Sequence, residues 1–154
     1  MSEPWTSDEI VAHSARLARS FRHLLGRELL SGVTAPMDFA EALFAAPFVI
    51  VSHGTQSDPV LNYGNRAALA LWEMSWEELT RTPSRFTAEP VAREERARLL
   101  AQVARHGHIT DYAGVRIAKS GRRFRITHAI VWNLRDEAGV HCGQAAMFDQ
   151  WEYL

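Results

Sequence analysis

The stretch VLNYGNRAALALW, residues 60–72, decides the fold, because its hydrophobic period changes within a few residues. Its first four residues can form a strand, whereas residues 67–71 are alanines and leucines, which are strong helix formers. Asn65 is a suitable N-cap, since its side-chain oxygen can accept a hydrogen bond from an amide of the first helical turn. Gly64 permits a sharp exit from the strand. The stretch therefore predicts a strand that passes directly into a helix.

The segments on either side extend this order. The run FVIV at residues 48–51 is typical of a strand, and the turn-forming segment 52–59 predicts a hairpin with the strand that follows. Ser75 and Glu78 have capping-box spacing, which predicts a second short helix. A surface helix over 91–105 is expected to turn four residues inward: Val91, Leu99, Leu100 and Val103. Three strand-like segments follow, at 109–118, 123–135 and 140–151.

The N-terminal segment predicts an amphipathic helix over about residues 7–30, opened by a Thr6–Glu9 capping box, and a short helix follows at 37–45. Its apolar stripe is narrow and arginines cover the rest of its surface. Such a helix must lay its stripe on the domain's own sheet or on a partner, and the pattern leaves both open. We expect a homodimer whose interface uses Ile10, Leu17, Phe21 and Leu24.

Composition limits the classes of function. The chain has 154 residues with a formal net charge of −1, which argues against binding nucleic acid or anionic lipid mainly through bulk positive charge. Cys142 is the only cysteine, so no internal disulfide can form, and a cytoplasmic location is expected. Neither a signal peptide nor a run of about 20 apolar residues is present. We therefore expect no membrane association and no direct nucleic acid binding.

Several segments of the sequence resemble the MEKHLA family, a group related to PAS domains. They include FVIVSHGTQSDPVLNYGNRAALALWEMSWEEL, PSRFTAEP, REERARLL, GVRIAKSGRRFRI, AIVWNL and GQAAMF, and they span about residues 37–151. The resemblance implies an α+β, PAS-like fold: a five-stranded antiparallel sheet with a helical excursion after the second strand. We expect a helical extension over 1–35 and the PAS-like domain over 36–154.

The resemblance also implies a function. The family occurs as short bacterial proteins and as the tail of plant homeodomain leucine-zipper factors, where it is thought to regulate dimerisation. This sequence has no homeodomain and no zipper, so DNA binding does not carry over. The expectation is a non-catalytic sensory or interaction module that binds a small ligand or a protein partner. The sequence does not identify the ligand or any cofactor.

His128 is the predicted centre of the ligand site. Strict alternation in the segment 123–135 places it on the apolar face among the isoleucines, since its even positions carry the large hydrophobic side chains. We expect His128 to line a cavity with Tyr63, Trp132 and Gln144 and to hold a polar group of the ligand. The alternative is a closed core, in which Tyr63, Asn62 or a backbone carbonyl satisfies the imidazole.

A haem or metal sensor is the second functional hypothesis. His106 and His108 flank Gly107 at the end of the long helix, roughly where haem-binding PAS domains place an iron ligand. Their spacing is not diagnostic, and a histidine there also complements the helix dipole. No catalytic motif with recognisable spacing occurs, so we expect no enzyme. A flavin-cysteinyl photocycle is also not expected, because the excursion contains no cysteine.

Overall fold

The computed structural model describes residues 3–88 and 90–154, with backbone only at residues 90–93, 96 and 100. Two short 3-10 turns, Pro4–Thr6 and Ser84–Thr87, accompany the regular elements. The elements are, in chain order, α1 (Asp8–Leu25), α2 (Pro36–Phe44), β1 (Val49–His53), β2 (Leu61–Gly64), α3 (Arg66–Trp72), α4 (Trp76–Leu79), α5 (Pro90–His106), β3 (His108–Ile117), β4 (Arg123–Arg135), β5 (His141–Phe148) and β6 (Gln150–Tyr153).

The strands form one antiparallel sheet in the order β2-β1-β5-β4-β3. The predicted last strand is interrupted at Asp149, and the chain beyond it forms β6, which pairs with the first half of β4. Helices α3, α4 and α5 lie between β2 and β3 in the chain. The predicted fold class, an α+β PAS-like sheet with a helical excursion after its second strand, is confirmed, and β6 is an addition to the five strands.

Asn65 carries out the predicted capping and also links three elements. Its Oδ1 accepts hydrogen bonds from the amides of Ala68 and Ile50, each at 3.2 Å. Its Nδ2 donates to the carbonyl oxygens of Leu43, at 3.2 Å, and Phe48, at 2.8 Å. The side chain is fully buried, so its hydrogen-bonding capacity is used within the protein. The strand-to-helix junction is therefore fixed to α2 and β1.

The sheet is buried on both faces. One face, here called the excursion face, packs against α3 and α5 through residues such as Val49, Phe124 and Val131. The other, here called the α1 face, packs against α1 and α2 through Ile50 and Trp132. Because both faces are covered, the second half of β4 is a nearly continuous apolar run, IVWNL, instead of an alternating one.

The N-terminal helix packs on its own chain. Leu17 and Phe21 are fully buried on the α1 face, and Ile10 and Leu24 are partly buried against the same cluster. The Phe21 ring meets the edge of Trp132 at a centroid distance of 4.9 Å, and Trp132 Nε1 donates to the Leu17 carbonyl at 3.3 Å. Leu17 and Phe21 are therefore not available for the expected dimer interface. Homodimerisation itself stays a prediction, as does the division of the chain at residue 35.

The ends of the helices differ from the sequence expectations in detail. Helix α1 is capped by Ser7, whose Oγ accepts from the Ile10 amide, and not by Thr6. The Ser75–Glu78 capping box of α4 is confirmed, with both reciprocal hydrogen bonds present. In α5, the inward prediction is confirmed for Leu99 and Val103. The predictions for Val91 and Leu100 concern side chains outside the described residues.

Two β-bulges lie next to each other in the β3–β4 pair, one on each strand. The partners Ile109↔Val131, Tyr112↔Ala129 and Gly114↔Ile126 give β3 one extra residue in the first interval and β4 one extra in the second. Asp111 and His128 have positive φ angles of 59° and 55° in these intervals. The His128 Nδ1 and Asp111 Oδ1 atoms are 2.7 Å apart. The second bulge shifts the alternation of β4 by one residue.

Candidate functional site

A small cavity lies between the excursion face of the sheet and the helices that cover it. Its volume is about 70 Å³. Its wall is mainly apolar, and small side chains on the central strands, Ala129 and Ala146, leave the space open. Pockets that enclose drug-sized ligands are roughly 300–1,000 Å³, so this cavity admits a molecule of only a few heavy atoms.

Arg116 is the charged group of the cavity wall. It lies on β3, is only 7% exposed, and borders the cavity. Its Nη1 donates to the carbonyl oxygen of Val115 at 2.9 Å, and its Nη2 donates to the Tyr112 hydroxyl at 3.0 Å. Among the residues the structure describes, no carboxylate pairs with this guanidinium. Burial of an unpaired cation is costly, so this side chain calls for a functional explanation.

Gly114 makes the contact between Tyr112 and Arg116 possible. The three residues are at alternate positions of β3, so their side chains share one face. A Cβ atom at Gly114 would lie 2.6 Å from the Tyr112 hydroxyl and 3.2 Å from Arg116 Nη1. Any larger residue would therefore displace the tyrosine from the arginine.

Two other polar atoms in the residues that line the cavity are buried without a partner, Trp72 Nε1 and Gln144 Oε1. The orientation of the Gln144 amide is fixed, because its Nε2 donates to Asn133 Oδ1 at 3.1 Å. Asn133 in turn donates through Nδ2 to the Val103 carbonyl at 3.0 Å. The indole group thus offers an unused donor and the glutamine an unused acceptor, which ordered water or a ligand can satisfy.

The four predicted ligand-binding residues do not come together. Gln144 lines the cavity, as expected. Tyr63 and Trp132 are fully buried, but they lie on the α1 face, across the sheet from the cavity. The side chain of His128 is 64% exposed and pairs with Asp111. Both predictions for His128, in the cavity wall and in a closed core, are therefore wrong, because the bulge turns its side chain to solvent.

Three residues of the cavity wall, Arg116, Tyr112 and Trp72, were not predicted from the sequence. Side chains in the segment 112–118 alternate between the two faces of the strand, and the larger apolar ones, Val115 and Ile117, are on the opposite face from Arg116. Hydrophobicity therefore predicts the wrong set of residues as buried. A glycine between Tyr112 and Arg116 at alternate strand positions was the available signal, because glycine in a strand often marks a close approach.

A second polar cluster lies under α1. Arg16 Nη1 donates to His13 Nδ1 at 3.2 Å, and the His13 Nε2 lies 2.9 Å from Ser52 Oγ, which donates to Asn62 Oδ1. Arginine has no acceptor, so His13 Nδ1 must accept and the proton must be on Nε2. Burial, and then the charge of Arg16, lower the pKa of His13 from 6.5 to about 4. The imidazole is therefore neutral at pH 7.

This second cluster is not arranged for nucleophilic catalysis. His13 donates to Ser52 and does not accept its proton, which is the opposite of what an activated serine requires. Tyr63 lies against the His13 ring at a centroid distance of 5.8 Å, and burial raises the pKa of its hydroxyl. The cluster is a buried set of hydrogen bonds that attaches α1 to β1 and β2.

The described residues give no support for a metal centre. Within residues 3–88 and 90–154, no three His, Cys, Asp or Glu side chains are grouped in a way that could hold a metal ion. His106 and His108 lie at the α5–β3 junction and do not border the cavity. Cys142 lies on the α1 face, and burial raises the pKa of its thiol. In the part of the chain described, no helix has the length and apolar character needed to cross a membrane.

Comparison with known families and structures is consistent with this architecture. The family model described as the MEKHLA domain matches residues 11–153. No curated protein gives a significant match.

Several solved structures are similar in fold. The PAS domain of a protein from Colwellia psychrerythraea has a TM-score of 0.63 at 17% identity, covering 76% of this chain and 94% of that one. A light-oxygen-voltage domain studied with a flavin analogue has a TM-score of 0.59 at 18% identity, covering 76% and 84%. A variant of the fungal photoreceptor VVD has a TM-score of 0.60 at 16% identity, covering 87% and 93%. At these identities the similarity shows the fold alone.

Proposed function

The chain belongs to the MEKHLA domain family, and we propose that it is a non-catalytic sensory module that binds a small ligand in the cavity beneath α3 and α5. The observation that carries this proposal is the cavity itself, because it combines a mainly apolar wall with a few polar groups, as ligand sites do. Protein interiors are otherwise closely packed, with few voids larger than a water molecule.

The position of the cavity supports a sensory role. Its wall includes β1, β3, β4 and β5 together with α3 and α5, so a ligand there would contact most elements of the domain. A ligand that binds one arrangement of these elements better than another shifts the population toward that arrangement. We infer that the resulting change is transmitted to a protein partner or to a second copy of the chain, in the cytoplasm.

Two observations favour this function over the alternatives. A cavity of about 70 Å³ is too small for haem or flavin, which disfavours a cofactor-based sensor. Among the described residues, the His13–Ser52 pair has its hydrogen bond in the wrong direction for an activated nucleophile, which disfavours catalysis. A pure protein-interaction module, with a cavity filled only by water, is the remaining competitor.

The test is a cavity-filling variant. Ala146→Leu adds three carbon atoms to the cavity wall, whereas Ala101→Leu makes the same change on the exposed surface of α5. A thermal-shift screen of small metabolites, with native mass spectrometry of gently purified protein, should find compounds that stabilise the wild type and Ala101→Leu. The same compounds should not stabilise Ala146→Leu. If nothing binds the wild type, or if binding survives the filling of the cavity, the proposed function is wrong.

A further inference from the structure

We propose that the ligand of this cavity is a short aliphatic carboxylate, held by Arg116 and Trp72 and preferred when it also carries a hydroxyl group. The inference rests on the proposed function and specifies the chemistry of its ligand. It is drawn from three groups in the cavity wall whose hydrogen-bonding or charge requirements the described protein atoms leave unmet.

The charge of Arg116 determines the sign of the ligand. The guanidinium is buried, is always protonated, and has no carboxylate partner among the described residues. Its described hydrogen bonds, to Val115 and Tyr112, are both to neutral oxygens and use two of its five N–H groups. An anion entering the cavity would supply the missing charge, and arginine matches the planar geometry of a carboxylate better than lysine does.

Trp72 adds a second donor. Its indole Nε1 is buried with no acceptor, and the ring is held by edge contacts with Phe124 and Phe148 at centroid distances of 5.5 and 6.1 Å. Since indole nitrogen can only donate, only an acceptor can satisfy it. A carboxylate oxygen is such an acceptor, and it is a stronger one than a neutral group.

Gln144 determines the second feature of the ligand. Its Oε1 is buried without a partner and can only accept a hydrogen bond. The hydrogen bond from Nε2 to Asn133 prevents the amide from rotating to place its nitrogen at the position of Oε1. A hydroxyl group on the ligand would donate to this oxygen. The small volume, about 70 Å³, limits the carbon skeleton to a few atoms. For comparison, an engineered apolar cavity of about 150 Å³ binds benzene.

The way in which Tyr112 and Gly114 position Arg116 supports a binding role for the arginine. Tyr112 holds one side of the guanidinium through its hydroxyl and its ring, whose centroid lies 5.5 Å from Arg116 Cζ. The absence of a side chain at Gly114 is what gives the tyrosine this position. The arginine is thus oriented by its neighbours before any ligand arrives, and such preorganisation increases affinity.

The test compares four probes by isothermal titration calorimetry and thermal shift at constant ionic strength: sodium propionate, sodium lactate, propionamide and sodium chloride. The wild type should bind propionate, bind lactate more tightly, and show no binding of propionamide. Arg116→Gln should weaken propionate binding by at least about tenfold, since hydrogen bonds to charged groups are strong. Arg125→Gln, which removes an exposed arginine from the neighbouring strand, should leave the affinity unchanged. Gln144→Leu should remove the preference for lactate and keep propionate binding.

Several results would overturn the inference. Equal binding of propionate and propionamide would show that charge is not recognised, and this comparison needs only the wild type, so it holds even if Arg116→Gln fails to fold. Chloride competing at the same concentration as propionate would show a general anion site and not a carboxylate site. If compounds of another class occupy the cavity and carboxylates do not, this inference fails while the proposed ligand-binding function stands. If nothing enters the cavity, both fail.

Discussion

Replacing Phe21 with alanine tests whether α1 is an integral part of the core. Truncation of a fully buried phenylalanine costs ~3–5 kcal/mol of unfolding free energy, because it removes the transfer free energy of the ring and leaves a cavity. Phe21 also makes an edge contact with Trp132, and such pairs add ~0.5–1.5 kcal/mol beyond burial. We therefore expect a loss in the upper half of the range, about 4–5 kcal/mol.

The assay is urea unfolding followed by far-UV circular dichroism at two protein concentrations. With slopes of about 1–3 kcal/mol per molar urea, the midpoint should fall by about 2 M. The matched control is Phe86→Ala, at a ring that is 47% exposed and lies over Arg85, where we expect a loss of under about 1 kcal/mol.

A loss at Phe21 no larger than that at Phe86 would refute the packing of α1 on its own sheet. A wild-type midpoint that rises with protein concentration would indicate that the chain associates with a second copy, which is compatible with α1 packed on its own sheet. If α1 packs on its own sheet, deletion of residues 1–30 should expose the α1 face and cause unfolding or aggregation, which is the opposite of the folded monomer that a dimer helix would leave.

Three further changes test other parts of the structure. The pKa of His13 is lowered from 6.5 to about 4, so the unfolded state takes up a proton first as the pH decreases. The contribution of neutral His13 to the free energy of unfolding is fully present above pH 6.5, and about 3 kcal/mol of it should be lost as the pH decreases to 4. His13→Gln should flatten this pH dependence in urea titrations, and parallel curves for the two proteins would show that His13 is not the group responsible. Asn65→Asp replaces the two N–H donors that face the carbonyls of Leu43 and Phe48 with an acceptor oxygen, and it should lower the free energy of unfolding by about 2–4 kcal/mol in thermal unfolding. A loss below about 1 kcal/mol would show that these hydrogen bonds are not formed. Gly114→Ala should displace the Tyr112 hydroxyl, weaken binding of any cavity ligand, and leave a folded protein by circular dichroism; unaltered affinity would show that the tyrosine does not position Arg116.

The order of the elements could be predicted from the sequence because it depends on local signals. Asn65 as a cap and the Ser75–Glu78 box are determined by side-chain chemistry within a few residues, and both are confirmed. The family resemblance supplied the sheet topology, which no local signal determines.

The site could not be predicted in the same way, because its positions depend on long-range features. A single extra residue in β4 reverses the direction of His128, and the pairing that creates it involves β3, far away in the sequence. Tyr63 and Trp132 are buried among apolar side chains, as expected. However, a sheet that is buried on both faces has two sets of core residues, and these two belong to the set on the α1 face. Alternation alone does not say which set borders a cavity.

The four hydrogen bonds of Asn65 also bear on the order in which the protein folds. Helix α3 has seven residues, and an isolated helix shorter than about 12–15 residues is only marginally stable in water. Its capping side chain is held by backbone groups of Leu43, Phe48 and Ile50, all within 22 positions along the chain, so the loop to be closed is short and its entropic cost is modest. We therefore expect α3 to form with α2 and β1 as one cooperative unit, early in folding, before the distant strands β4 and β5 complete the sheet.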